Sequence, residues 1–478
     1  MNNVAQTVRS LPRTLNDWNA YKTAATAFNL SGMNAEGQDV EVDNRNGRGA
    51  IKVERSCARF DFKDGSPVGN NTYNVVLDSD KKTLIQIRLN KIFFTNLAKQ
   101  FYYLPRVSDN GLNEGAVICG EETPENYVVG PFATEFNKDD ITTSFKFNDY
   151  FQYSFFNNNW GYNNANWDKY LISDVLEEDE NFKGTEENNK DLYMNHQYHI
   201  WRYATENVIP SDVDNQIYGR TSIIVFKGKM VATEDALNSS DPDTKEMAEY
   251  MNNVGGDKLS DTQKDPILYS FRNSLYFKWE GVQKSAIKDA ITMTDNRPKT
   301  IGTYEEDGVE YLIVDPTTIS RTSSLYIAVF GKRIKGEDKA GAIGKFQWGT
   351  TWYIDDPEKT LEGDITVLTN SANVIWSNWN NAGRPNNDLL SSMRKAITDA
   401  GFTIYQTSED KEDGGWGYYC YYYYRNRHND NNDNGVMGPM EFAVVRNNVY
   451  KLAVTEISQL GHPRIPENDP DKPTPNTP

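Results

Sequence analysis

Short runs in which apolar and polar residues alternate recur along most of this chain, and turns rich in Asn, Asp and Gly separate them. In Glu54-Arg55-Ser56-Cys57-Ala58-Arg59-Phe60-Asp61-Phe62, the residues Ser56, Ala58, Phe60 and Phe62 share one face. Arg55, Cys57, Arg59 and Asp61 share the other. Successive side chains of a strand point to opposite faces, so this is the pattern of a half-buried strand. Similar runs are Tyr73–Leu77, Leu84–Leu89, Thr143–Phe147, Ile223–Phe226, Tyr311–Val314, Leu325–Phe330, Phe346–Tyr353, Phe402–Gln406, Tyr418–Tyr424, Glu441–Val445 and Val449–Ile457. Asp109-Asn110-Gly111, Glu306-Asp307-Gly308 and Asp433-Asn434-Gly435 supply turn chemistry between them. Many short strands joined in this way predict a mainly β chain, an antiparallel β-sandwich with a few short helices.

The helical patterns are fewer. Leu15, Trp18, Tyr21, Ala25 and Phe28 recur at intervals of three and four, with Thr14 and Asp17 spaced as a capping box and Gly32 just beyond. Further helices are expected at Lys245–Met251, Val282–Met293 and Leu389–Ala400, the last with Asp388 as N-cap and Leu390, Met393 and Ile397 as its apolar stripe. Asp39 to Gly49 is polar and reads as a junction, while Asn157–Asn166, Glu177–Asn189 and Ala236–Asp243 read as surface loops. From His462 to Pro478 prolines alternate with charges, the composition of an extended tail. Ser222–Met230 and Ser324–Ile334 both run from apolar to basic, an echo that two core strands leaving a sheet would produce as well as a repeat would.

Composition excludes several function classes. With 50 basic and 68 acidic side chains the formal charge is −18, the wrong sign for a general nucleic-acid binder. Aromatic residues make up 12 % of the 478, with 28 Tyr and 10 Trp, enough to fill a sizeable core. No apolar run approaches the roughly 18 residues that a membrane span requires. Met1-Asn2-Asn3-Val4 does not begin a secretory signal, so either a cytosolic protein or a missing leader is expected. Cys57, Cys119 and Cys420 are far apart and odd in number, which predicts isolated thiols rather than a disulfide framework.

Each constellation that could carry chemistry has a plainer reading beside it. His196 and His199 lie three apart and could share a metal on a helix, but no third ligand is placed near them. The Tyr-rich run Trp416–Arg425 could stack sugars or bases, yet Tyr is also a good strand former and would alternate across both faces. Asp430, Asn432, Asn434 and Glu441, with Gly435 between, satisfy the spacing of an EF-hand calcium loop. Pro439 inside the loop, two carboxylates among four ligand positions and strand-like flanks favour a strand-connecting loop without a high-affinity site. Hydrolase, P-loop and zinc-protease motifs are absent from the sequence. No catalytic, cofactor-binding or metal-binding residue is therefore assigned, and no enzyme activity is expected.

Three segments together resemble the fimbrillins, the pilus subunits of Bacteroidales-type bacteria, and look nearest to the shaft subunit of the short fimbrium. They are Ile51–Phe60, with its Val53-Glu54-Arg55 and Ala58-Arg59; the aliphatic run Thr221–Met230 before a basic turn; and Phe442–Gly461, with Val445-Arg446-Asn447 and Tyr450 and a closing Leu460-Gly461. Their order and spacing agree with the family over nearly the whole chain. The resemblance implies transthyretin-like β-sandwich domains, export as a lipoprotein to the outer membrane and cell surface, and trimming after an Arg. It also implies polymerisation by donor-strand exchange with other fimbrial subunits, self or accessory, a form of β-augmentation. Arg45 and Arg48 do not match the trimming position.

Family precursors carry further strands before and after the matched stretch. Residues 1–49 are accordingly expected as a remnant of an N-terminal domain, 50–461 as the C-terminal sandwich with long loop insertions, and 462–478 as a Pro-rich tail. Such a chain would not polymerise alone, since the tail's prolines remove the backbone donors a pairing strand needs. The expected function is a structural fimbrial subunit supporting adhesion. The alternatives are an accessory or tip adhesin that binds a glycan, a host protein or a bacterial surface receptor, and, more distantly, a secreted carbohydrate-active enzyme.

Overall fold

The computed structural model describes residues 55–78, 80–118, 123–131, 150–152, 171–176, 198–209, 220–253, 267–272, 274–320, 323–331, 345–354, 371–385, 388–410, 415–430, 432–433, 437–463 and 472–473. The expected helix Leu15–Phe28, the junction before Gly49, Arg45, Arg48, the run Thr143–Phe147, the expected loops Asn157–Asn166 and Glu177–Asn189, His196 and Cys119 lie outside them.

The first strand, β1 (Cys57–Asp64), fulfils its period of two. Ala58, Phe60 and Phe62 are fully buried, while Arg59 on the other face pairs with Asp61 at 2.9 Å. Along the chain follow β2 (Thr72–Leu77), β3 (Thr83–Thr95), β4 (His199–Thr205) and β5 (Ile223–Ala232). After β5 comes helix α1 (Pro242–Asn253), whose Met247, Ala248 and Met251 close one end of the same core. The sandwich resumes after Tyr405 with β13 (Thr407–Asp410), β14 (Gly415–Arg425) and β15 (Val449–Val454).

These strands make two sheets. One has the order β15-β1-β4, with β15 parallel and β4 antiparallel to β1. The other runs β2-β3-β5-β14-β13, extended by a short antiparallel pairing of Lys472–Pro473 with Ser408 and Glu409. Their inner faces meet in one core, in which Phe60 stacks on Tyr450 at 4.8 Å and meets Phe94 edge-on at 4.8 Å, and Phe62 lies 5.9 Å from Phe226. Packing at this density makes a core Phe worth about 3–5 kcal/mol against truncation to Ala. Between β3 and β5 the register slips at Lys227/Gly228, where a Cβ on Gly228 would stand 2.5 Å from Ile87 Cγ2. Only glycine lets the strands approach so closely at this bulge.

Residues 267–405 build a second core. The strands β6 (Leu268–Phe271) and β7 (Ser274–Phe277) pair as a hairpin, and β12 (Phe402–Tyr405) flanks β6. Leu268, Phe277 and Tyr405 on one face of this small sheet join the sandwich core. Tyr269 and Phe402 join Trp279, Trp376, Trp379 and Met393, supplied by helices α2 (Lys278–Ala290), α4 (Ala372–Asn381) and α5 (Asp388–Asp399). The small sheet is thus a wall shared by both cores. Beyond it, β8 (Thr300–Glu306), β9 (Val309–Val314), β10 (Lys345–Trp348) and β11 (Thr351–Ile354) form a four-stranded sheet in the order β8-β9-β11-β10.

The mainly β, mostly antiparallel architecture with short helices is as the alternation predicts, and no closed barrel forms among the described residues. Local readings fail where a cap or turn outweighs an apolar run. Leu325–Phe330 is not a strand but helix α3 (Ser324–Phe330), because Ser323 caps it by accepting from the Tyr326 amide at 3.1 Å. The echo of Ser222–Met230 is therefore no structural repeat. Phe346–Tyr353 breaks into the β10–β11 hairpin at Gly349, whose φ of 63° only glycine adopts without cost. Glu441–Val445 is a series of turns, with a single antiparallel bridge between Val444 and Asn207.

Candidate assembly surface

The turn into β15 concentrates hydrogen bonds. Arg446 is buried against Glu206, with Nη2 and Nε at 2.9 and 3.1 Å from Oε2, and its own amide donates to Oε1 at 3.2 Å. The same guanidinium donates through Nη2 to Tyr102 O at 2.6 Å and through Nη1 to Tyr103 O at 3.3 Å. Asn447, at φ 62°, donates its amide to Cys57 O, and its side chain accepts from the Arg55 amide. Asn448 Nδ2 reaches the carbonyls of Val445 and Arg446. Tyr450 Oη accepts from the Val445 amide at 3.0 Å and lies 2.9 Å from His428 Nδ1. Burial holds the His428 imidazole below its usual pKa, which favours the neutral ring beside the Tyr450 hydroxyl. A Tyr hydroxyl tied back to the backbone upstream is a corner device of Greek-key sandwiches. Each polar residue of Arg446-Asn447-Asn448 and Tyr450 thus has a bond to make, which is the physical content of the motif.

Beyond this corner β15 has a partner strand on one side only among the described residues. A groove of about 480 Å³ runs beside it, lined by Leu89, Phe226, Tyr422, Leu452, Glu456 and Ile457. Two residues past the last groove residue, Gln459, comes Gly461, whose Cβ position lies 2.6 Å from Tyr421 O. The lack of a side chain lets His462 exchange both backbone hydrogen bonds with Tyr421, at 2.8 and 2.9 Å, while Tyr405 Oη donates to Gly461 O at 2.6 Å. A mostly apolar groove bordered by a sheet edge with no further strand among the described residues can accept an added strand, through backbone bonds along β15 and side-chain pockets beneath.

A buried charge cluster lies on the outer face of the larger sheet. Asp410 receives Lys91 Nζ at 2.9 Å and Lys227 Nζ at 2.7 Å, with all three side chains almost inaccessible. Burial alone would raise the Asp410 pKa, but the two ammonium groups outweigh it and hold the carboxyl below its usual range. Lys227 also lies over the Tyr419 ring at 4.2 Å.

The other candidates resolve into structure. In the Tyr-rich run, Tyr418 and Cys420 face the sandwich core and Tyr419 and Tyr421 are buried on the opposite face, while Tyr422, Tyr423 and the exposed Tyr424 line the groove beside β15. Burial pushes the Cys420 thiol up to about 11, which leaves it a small apolar side chain rather than a nucleophile. His199 lies within β4, paired with Phe62. In the loop after β14, Arg427 stands between the two acids of the calcium pattern, 2.5 Å from Glu441 Oε1 and 3.5 Å from Asp430 Oδ1. Glu441 Oε2 accepts from the Gly438 amide at 2.8 Å, so both its oxygens are engaged. The signal for this in the sequence is Arg427 itself, a basic residue three positions before Asp430. Among the described residues no group of three or more His, Cys, Asp or Glu is placed to hold a metal ion.

The comparisons with known proteins fall on this same surface. No curated protein matches the chain. Residues 417–478 match the family described as major fimbrial subunit protein type IV, fimbrillin, C-terminal. The matched stretch takes in most of β14, the Arg427–Glu441 loop, the corner at Arg446, β15 and the Gly461 approach. A fimbrial subunit is a structural component of a cell-surface filament, built together with other subunits rather than made for catalysis. The chain therefore carries, at its C-terminus, the C-terminal domain of the fimbrillins.

Proposed function

We propose that this chain is a structural shaft subunit of a bacterial fimbria, of the short-fimbrium type, joined to its neighbours by donor-strand exchange. The observation that carries this reading is the convergence of three segments far apart in sequence. β1 and β15 hydrogen-bond side by side, and β5 packs against them from the opposite sheet. The edge of β15 beside its groove is the acceptor, and an alternating apolar strand from an adjoining subunit is the donor. Residues 50–461 act as the sandwich unit with the 267–405 region inserted, 462–478 are its Pro-rich continuation, which touches the larger sheet again at Lys472–Pro473, and 1–49 belong to a preceding unit. Export as a lipoprotein and anchorage at the outer membrane complete the reading.

Immunogold electron microscopy of the native bacterium, with antibody against residues 267–405, tests it. Labelling along the length of filaments that disappear on deletion of the gene is expected. Label confined to filament ends would move the chain to an accessory or tip adhesin. Filaments that persist unlabelled would overturn the reading.

A further inference from the structure

The loop Phe101-Tyr102-Tyr103-Leu104 departs from the rest of the surface. Phe101 is 37 %, Tyr103 87 % and Leu104 45 % exposed, three large apolar side chains within four residues. A consecutive exposed apolar run of this kind costs solubility, and a sequence tolerates it where it has a use. The loop is also held. Arg446, itself buried, places two donors on the carbonyls of Tyr102 and Tyr103, and its guanidinium lies 5.6 Å from the Phe101 ring centre. On the other side Tyr102 stacks under Arg106 at 4.0 Å, and its hydroxyl donates to Asn113 Oδ1 at 2.9 Å. Ile118, 48 % exposed, lies directly across from Arg106 and extends the patch.

Burying an ion pair such as Arg446–Glu206 brings little net stability, because desolvating both charges offsets their attraction. Here its remaining donors fix the backbone of an exposed aromatic loop, so the ordering entropy of a contact has been met before the contact forms. Rigid Tyr side chains beside Arg are the composition of interface hot spots.

We propose that Phe101–Leu104 is a preorganised subunit contact whose occupant is a second copy of this chain, separate from the strand-accepting groove. The proposal rests on the fimbrial reading for its setting. Charge selects the partner: from Lys99 to Arg106 the only ionisable charges are those two basic residues, in a chain of net charge −18. A basic-rimmed apolar loop is complementary to the acidic surface of another copy. The same net charge repels an anionic bilayer, the other surface that aromatic and basic residues could address. A patch on one copy that meets a different patch on the next makes a head-to-tail contact, which extends rather than closes.

The test places a photoreactive benzoylphenylalanine at position 103 of the full chain, in purified protein and in cells bearing the fimbriae. Light should yield an adduct of two chains, with position 103 joined to a peptide of the second copy. The double variant Tyr103→Ser, Leu104→Ser should keep its thermal unfolding temperature and weaken self-association at least tenfold by sedimentation. A chain that gives no two-chain adduct at any concentration, an association unchanged in the double variant, or retention of the wild type but not the variant on phosphatidylglycerol vesicles would each overturn the proposal. A two-chain adduct formed by a chain that is absent from surface filaments would leave this contact standing while the fimbrial reading falls.

Discussion

The sandwich and the inserted region 267–405 close their cores over different sequence distances. In the sandwich, Arg55 and Asn447 bond across 392 positions of sequence, and the first described strand lies beside the last long one. In the inserted region the separations are shorter: β6 and β12 join Leu268 to Tyr405, and Trp376 Nε1 donates to Tyr269 Oη across 107 positions, while hairpins such as β6–β7 close within a few residues. Long-range pairing incurs the loop-closure entropy of everything between the strands before any contact rewards it, whereas local pairing does not. The two meet through the Leu268, Phe277 and Tyr405 face and through exposed ion pairs, Lys278–Glu246 at 2.5 Å and Lys284–Asp243 at 3.3 Å. Exposed pairs contribute little, about 0–1 kcal/mol each, so the shared apolar wall is what couples the regions. The comparison teaches that the sandwich depends on both ends of the described chain, and that the inserted region bears on it through the wall of Leu268, Phe277 and Tyr405.

The strongest way to break the comparison is Asp410→Ala. It leaves Lys91 and Lys227 buried without the carboxylate they share, and losing one member of a buried cluster costs about 3–5 kcal/mol. Hydrogen exchange at increasing urea should record this loss at the amides of β3, β5 and β14, while those of α2, α4 and α5 in the inserted region shift by less than half as much. Equal shifts would mean that the wall makes one cooperative unit of the two. Gly461→Val should cost about 1–3 kcal/mol, since a side chain there overpacks against Tyr421 O and the Tyr422 ring. Hydrogen exchange would locate the effect in faster exchange at the amides of Tyr421 and His462.

On the other side of the comparison, Ser371→Ala removes the cap that accepts from the Val374 amide at 3.3 Å, at a cost of about 1 kcal/mol. Amide exchange in α4 should quicken and that in the sandwich strands should not. A smaller effect is expected from pH. A histidine whose folded pKa is depressed contributes stability that is full above its unfolded value near 6.5 and declines as pH falls below it. Between pH 7 and pH 5 the urea midpoint of the sandwich should therefore fall, and His428→Gln should flatten that slope. Smallest of all is the response to calcium. Arg427 occupies the space between Asp430 and Glu441, so calorimetric titration of the full chain should show no micromolar binding, and a site lost on Asp430→Ala would contradict this.

Much of the sandwich was legible in the sequence because alternation is a local property. The faces of β1, the apolar stripe of α5 and the Tyr alternation of β14 follow from spacing alone. Helix α4 was missed although Ser371 precedes Ala372, Trp376 and Trp379 at helical intervals, a signal hidden by the Asn residues between them. The corner motif was recognisable as a pattern, but what Arg446 and Tyr450 do there was not. Their partners, Glu206, Tyr102 and Tyr103 in one case and His428 in the other, lie on other parts of the chain.

By itself, then, the sequence determined the class of fold, the faces of its strands and the family of its C-terminal region, since periodicity and motif spacing are carried by neighbouring residues. Only the tertiary structure decided that β1 pairs in parallel with β15, that a groove opens beside that edge, and that Arg427 stands where a calcium ion would. It alone decided, too, that a buried guanidinium holds an aromatic loop out in solvent. The physical reason is common to all four. Each depends on which distant groups are desolvated together, and burial is a property of the assembled chain rather than of any stretch of it.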